Sequence, residues 1–129
     1  MKHLKIKKFG SEAKKSTVTD QMLKDTLNNF IKLDISGQQK YSLGAGLYKL
    51  RLASVEGRGK SAGSRSILAF KNSDRTIWLH LFSKNDKGNI STQELKKLKV
   101  LADILLGLSN SDIERLIELG DIIEVLENV

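Results

Sequence analysis

The sequence predicts an α+β fold in which a small antiparallel sheet packs against N-terminal and C-terminal helices. Three observations carry that prediction. Apolar residues recur at helical spacing after Thr19, three strand-like runs follow at 47–53, 65–71 and 76–82, and a capped amphipathic stretch opens at Ser91. With 129 residues, no proline, no internal repeat and no low-complexity tract, residues 1–129 read as a single domain.

Over 4–15, Leu4, Ile6, Phe9 and Ala13 suit either a short helix, the preferred reading, or an extended arm. Met22, Leu23, Leu27, Phe30 and Ile31 then form one apolar helix face, with Thr19 or Asp20 as N-cap and Gly37 as the stop. Gly44 and Gly46 break the pattern before the three strands. The second and third strands are joined by the polar Asn72-Ser73-Asp74-Arg75, which predicts a hairpin of antiparallel neighbours. Ser91 supplies an N-cap oxygen, Glu94 completes a capping box, and Ile90 and Leu95 form a staple. The stripe Leu95, Leu98, Leu101, Ala102, Leu105 and Leu108 must lie on the sheet. Ser111 with Glu114 signals a second cap, for a shorter helix carrying Ile113, Leu116 and Ile117 and ended by Gly120. Residues 121–126 are acidic and apolar, either a last strand or a segment waiting for a partner.

Composition excludes several chemistries. Without cysteine there is no disulfide, thiolate zinc site, iron-sulfur cluster or cysteine nucleophile, and His3 and His80 are too few for a histidine-rich metal centre. No cofactor and no metal are expected. The basic residues 2–8 precede no apolar core segment, so a cytoplasmic protein without a signal peptide or membrane span is expected. The formal charge of +7 is concentrated in the middle, where residues 40–87 hold ten Lys and Arg against Glu56, Asp74 and Asp86. Residues 88–129 hold four against eight acids. Such a field draws polyanions, which makes nucleic acid the first partner to consider; lysines that merely maintain solubility are the alternative.

Strand alternation sorts these charges by face. If Leu50, Leu52, Leu68, Phe70, Ile77, Leu79 and Leu81 point to the helices, the opposite, open face carries Lys49, Arg51, Arg65, Ile67, Lys71, Trp78 and His80. That face holds cations, an aromatic and a histidine, and no acid. Between the first two strands, Gly59-Lys60-Ser61 superficially resembles a phosphate-binding loop, but Ser54 stands where that motif needs glycine and a strand follows where it needs a helix. A glycine-rich loop tipped by Arg58 and Lys60 suits a polyanion clamp or an inconsequential hairpin loop.

The order Leu47-Tyr48-Lys49-Leu50-Arg51-Leu52, then Gly57-Arg58-Gly59-Lys60-Ser61-Ala62-Gly63-Ser64-Arg65-Ser66-Ile67, then Phe82-Ser83-Lys84-Asn85-Asp86 and Asn89-Ile90-Ser91 with Glu94-Leu95 resembles the RelE/HigB-like toxins of bacterial type II toxin-antitoxin systems. The similarity covers the central half of the chain. It implies a small toxin of RelE-like fold that cuts messenger RNA, usually on the ribosome, and is silenced by an antitoxin, in this branch commonly a helix-turn-helix DNA-binding protein. The chain departs from the family at Ser64, where an aromatic usually precedes the arginine, and at His80, which is less usual at its place.

RNA is cleaved without metal when its own 2′-hydroxyl attacks the adjacent phosphorus. The expected catalytic set is Lys49, Arg51, Arg65, Lys84 and His80. Arg51 and Arg65 are the bidentate phosphate clamps. Lys49 is a candidate base or acid, because an ammonium crowded by cations gives up its proton more readily. Lys84 and Lys60 grip backbone and leaving group, and His80 shuttles a proton. Arg58, Lys60, Trp78 and Lys87 are the expected RNA contacts, with Trp78 either stacking a base or lying in the core. So few acids and bases make a poor nuclease on naked RNA, so the ribosome is expected to orient the message. A non-catalytic basic binding protein and a gyrase-directed toxin of the same fold are the competing readings.

Overall fold

Backbone pairing in the computed structural model, which describes residues 1–52, 64–71, 74–83 and 90–125, builds a six-stranded sheet and five helices among those residues. In chain order they are β1 (Lys2–Ile6), α1 (Lys7–Lys15), α2 (Asp20–Ile31), α3 (Ile35–Gln39), β2 (Ser42–Gly44), β3 (Leu47–Arg51), β4 (Ser64–Lys71), β5 (Arg75–Ser83), α4 (Thr92–Gly107), α5 (Asn110–Leu119) and β6 (Ile122–Glu124). The sheet order is β2-β3-β4-β5-β1-β6, antiparallel except where β1 runs parallel to β5. The fold is α+β with a RelE-like arrangement.

Several local signals act as the sequence suggests. Thr19 Oγ1 accepts the Met22 amide at 3.2 Å to open α2, whose Met22, Leu23, Thr26, Leu27 and Phe30 are buried. Ser91 Oγ accepts the Glu94 amide at 3.1 Å to open α4, and Gly120 closes α5 with φ of 83°. The 65–71 and 76–82 runs form the β4–β5 hairpin, and 122–124 becomes a strand paired with β1.

Other expectations are corrected. Over 4–15 each alternative describes a part: residues 2–6 are extended, though paired into the sheet as β1, and the preferred helix begins only at Lys7. Gly37 does not stop α2, which ends at Ile31; it lies inside α3, where its amide donates to Asp34 Oδ1 at 2.7 Å. The last helix is capped by Ser109, not Ser111, because Ser109 has the extended backbone from which its Oγ accepts the Asp112 amide. Glu114 pairs with Lys2 instead.

The largest correction concerns the sheet faces, both of which are covered. Leu50, Leu52, Leu68, Phe70 and Trp78 pack with Phe9, Ala13, Met22, Leu23, Leu27 and Phe30 of α1 and α2. On the other side Leu47, Ile67, Ala69, Ile77 and Leu79 pack with Ala102, Leu105 and Ile113 of α4 and α5. A strand covered on both faces reads as an apolar run rather than an alternation, as β4 does. Register shows why the face assignment failed in part. A bulge between Ile67 and Leu68 pairs Ile67 with His80 but Leu68 with Trp78, so Ile77 and Trp78 lie opposite to an unbroken alternation while His80 stays with Ile67.

Arg75 ties the layers together. It is buried, donating through Nη1 to the Leu105 carbonyl at 2.9 Å and through Nη2 to Asn110 Oδ1 at 3.0 Å, which anchors β5 to the α4–α5 junction. The β2–β3 turn runs through left-handed backbone at Gly44, Ala45 and Gly46. At Gly46, where φ is 80°, a Cβ would stand 2.9 Å from Leu106 Cδ1, so a larger residue would be strained in its backbone and would have to displace the tip of that leucine.

Candidate functional site

Four of the expected catalytic residues come together. Lys49 pairs across the sheet with Ile67, and Ile67 with His80, so these three form one row on a single face. Arg51 pairs with Arg65, and Arg65 with Phe82, in the next row. Adjacent strands stand about 4.8 Å apart and two residues span about 6.8 Å, so the rows define a patch of roughly 10 Å by 7 Å. A patch of that size is within the span that lysine and arginine side chains can bridge to a single phosphate. Lys49, Arg65 and His80 are half-buried and Arg51 is exposed. The two arginines occupy directly opposed positions, where like charges cost a few tenths to about 1 kcal/mol; an anion shared between them turns that repulsion into charge-assisted hydrogen bonds. Lys71 belongs to the same face but at the far end of β4, away from the patch.

α4 supplies a group that sequence reasoning assigned to capping alone. Glu94 Oε1 accepts from Ser91 Oγ at 3.1 Å, and Glu94 Oε2 lies 3.9 Å from His80 Nε2, an ion pair whenever the imidazole is protonated. The His80 ring also stacks on Phe82, with centroids 5.6 Å apart. The histidine is thereby held on two sides. Spacing along the chain carries no trace of the His80–Glu94 approach, which depends on where α4 begins over the sheet.

Trp78 is a correction. It is fully buried, stacked on Phe9 at 5.9 Å, and its indole N–H donates to His3 Nε2 at 2.7 Å. A base cannot reach it. His3 is its acceptor because burial holds the imidazole at a pKa of about 4, leaving it neutral with a free ring nitrogen. Lys84, Arg58, Lys60 and Lys87 lie outside the described residues. Among the described residues no three His, Asp or Glu side chains gather as metal ligands, and no helix is long and apolar enough to cross a membrane.

A family model described as the RelE toxin of the RelE/RelB toxin-antitoxin system matches residues 1–125. The chain belongs to the RelE toxin family. This RelE toxin is therefore the toxin member of a toxin-antitoxin pair, with an antitoxin as its partner. No curated protein and no solved structure matches it.

Proposed function

We propose that this RelE toxin is a ribosome-dependent endoribonuclease that cuts messenger RNA by attack of the 2′-hydroxyl. The observation that supports the reading is the gathering of Lys49, Arg51, Arg65 and His80 on one face of adjoining strands. In the reaction a base removes the 2′-hydroxyl proton, the O2′–P bond forms, the P–O5′ bond breaks, and the departing 5′-oxygen takes a proton. The products carry a 2′,3′-cyclic phosphate and a 5′-hydroxyl. Arg51 and Arg65 hold the charge that grows on the phosphorane oxygens. Lys49 and His80 are the groups for the two proton transfers, and Glu94 is a positioning residue that orients His80 and balances its charge after proton uptake. Lys84 joins the catalytic set, and Arg58, Lys60 and Lys87 grip the flanking backbone. The whole chain acts as one domain, without cofactor, in the cytoplasm where the message is translated, and its antitoxin is a helix-turn-helix DNA-binding protein.

Few proton-transfer groups and a compact patch make orientation of the RNA the missing contribution, which the ribosome supplies. Purified protein is expected to cut translated message while leaving naked RNA nearly intact, as read by mapping RNA ends. Equal cutting of both refutes ribosome dependence. Arg65→Ala is expected to reduce turnover about 10²- to 10³-fold with ribosome affinity largely kept. No turnover in the wild type, with most of the affinity lost in Arg65→Ala, would instead indicate a non-catalytic binder.

A further inference from the structure

The side of the sheet turned away from the catalytic row carries a second surface. Lys49 and His80 share the row of Ile67, which packs under α4 and α5, whereas Phe30 and Leu50 belong to the core under α1 and α2. On this α1–α2 side a cleft of about 270 Å³ is lined by Phe30, Leu33, Tyr41 and Leu50, with Arg51 also among its lining residues. Four of the nine large hydrophobic side chains that stand exposed among the described residues fall within 31–41. They are Ile31, Leu33, Ile35 and Tyr41, of which Leu33 and Tyr41 line the cleft and Ile35 is 78% exposed. Single exposed apolar residues are ordinary, but a cluster of them beside a cleft marks a protein-binding surface. We infer that this surface docks the antitoxin, through an amphipathic helix that lays its apolar stripe in the cleft and carries acidic residues on its flanks.

Charge, order and size select this occupant. From 29 to 51 the chain carries Lys32, Lys40, Lys49 and Arg51 against the single acid Asp34. Lys32 and Lys40 are exposed and Arg51 lines the cleft, while Asp34 Oδ1 is taken up in accepting the Gly37 amide at 2.7 Å. Cations beside an apolar patch favour a partner with carboxylates beside its own apolar residues. A second copy of the chain would set like charges against each other, and RNA gains nothing from Ile31, Leu33 and Ile35. The patch is also ordered before any partner arrives. No residue of α3 is buried, yet its place is fixed, because Gln38 Nε2 donates to the carbonyls of Phe30 and Leu33 at 3.4 and 3.3 Å. Binding to a surface held in this way costs little ordering. The cleft volume lies just below the roughly 300–1,000 Å³ of sites for drug-sized ligands, and suits the apolar anchors that a helix presents at i, i+3 and i+4. Membership of the RelE family supplies the partner. Docked there, the helix leaves Lys49, Arg65 and His80 on the other side of the sheet.

The test uses the full chain and the antitoxin encoded beside it, copurified as their complex. Amide hydrogen exchange is followed in both proteins, and affinity is measured for variants of the toxin. Residues 29–41 are expected to gain protection in the complex, together with one acid-flanked amphipathic helix of the antitoxin. Ile35→Asp, at a position too exposed to disturb the core, is expected to weaken binding roughly 30- to 1,000-fold, the range of a hot-spot residue. Lys32→Glu combined with Lys40→Glu is expected to slow association and flatten its salt dependence. Val100→Asp, a similar change at a 62% exposed site on α4, is expected to bind as the wild type does. The assignment is overturned by unchanged exchange over 29–41, by an Ile35→Asp protein of wild-type affinity, or by equal weakening in Val100→Asp. A toxin that dimerises through this patch on its own, and loses the dimer but not the antitoxin in Ile35→Asp, overturns it as well. No readout depends on cleavage, so failure of the ribonuclease reading leaves the docking site standing, and failure of the docking site leaves that reading untouched.

Discussion

At Trp78 one hydrogen bond decides the side chain's role. The indole N–H is buried and has a single acceptor, His3 Nε2, which is available because the imidazole is neutral. His3→Ala removes that acceptor and is expected to cost about 1–3 kcal/mol, the penalty for an unsatisfied buried donor, measured by urea unfolding at neutral pH. His3→Gln, which keeps an acceptor, is expected to lose less. The same histidine makes stability depend on pH. Its folded pKa of about 4 lies below the ordinary 6.5, so the unfolded chain binds more protons between those values. Stability is therefore complete above about 6.5 and falls as pH drops toward 4. In His3→Gln this part of the pH dependence disappears.

Between elements, Arg75 does what a hydrophobic residue at the start of a strand cannot. Its guanidinium reaches the Leu105 carbonyl and Asn110 together, and its Nε lies 3.7 Å from Asp74 Oδ2. Arg75→Ala is expected to lower stability by about 2–4 kcal/mol in chemical unfolding, with Arg75→Lys recovering less than half, since an ammonium lacks the planar fork. This residue also marks where sequence reading stopped. As a letter, Arg75 was one more cation in a basic middle third; its burial follows from packing against a helix junction thirty residues later. The elements legible in the sequence were those with local signals: α2 and α4 announced by Ser or Thr caps and apolar periodicity, and the β4–β5 hairpin by its polar connection. β1 was illegible because its five residues make sense as a strand through a parallel partner far along the chain. The bulge at Leu79, opposite Ile67 and Leu68, was equally hidden, and it reversed the faces of Ile77 and Trp78. Lys49, Arg51, Arg65 and His80 were sorted correctly because β3 and the outer ends of β4 and β5 keep the simple alternation.

Over the whole molecule, charge is the property that sets behaviour in solution. An excess of basic residues in 40–87 is expected to make the proposed association with ribosomes and RNA strongly salt-dependent. Plotted as log affinity against log salt, binding is expected to lose about one unit of slope for each of Arg51→Ala and Arg65→Ala. Arg75→Ala, which removes an equal charge from the interior, is expected to leave the slope unchanged in protein shown to be folded. The comparison separates cations that meet the polyanion from those that hold the fold.

The pairing of β1 with β6 reaches further than stability. Leu4 is matched to Glu124, and the Val125 amide donates to the His3 carbonyl at 2.9 Å, so β1 finds its outer neighbour far along the chain, beyond every other strand of the sheet. Contacts of such long sequence separation form slowly. Until residue 122 and those after it have emerged, one edge of the sheet lacks its final strand. A toxin built on this topology therefore has an open sheet edge for as long as β1 and β6 are held apart, a built-in delay between the emergence of its first strand and the closing of its sheet.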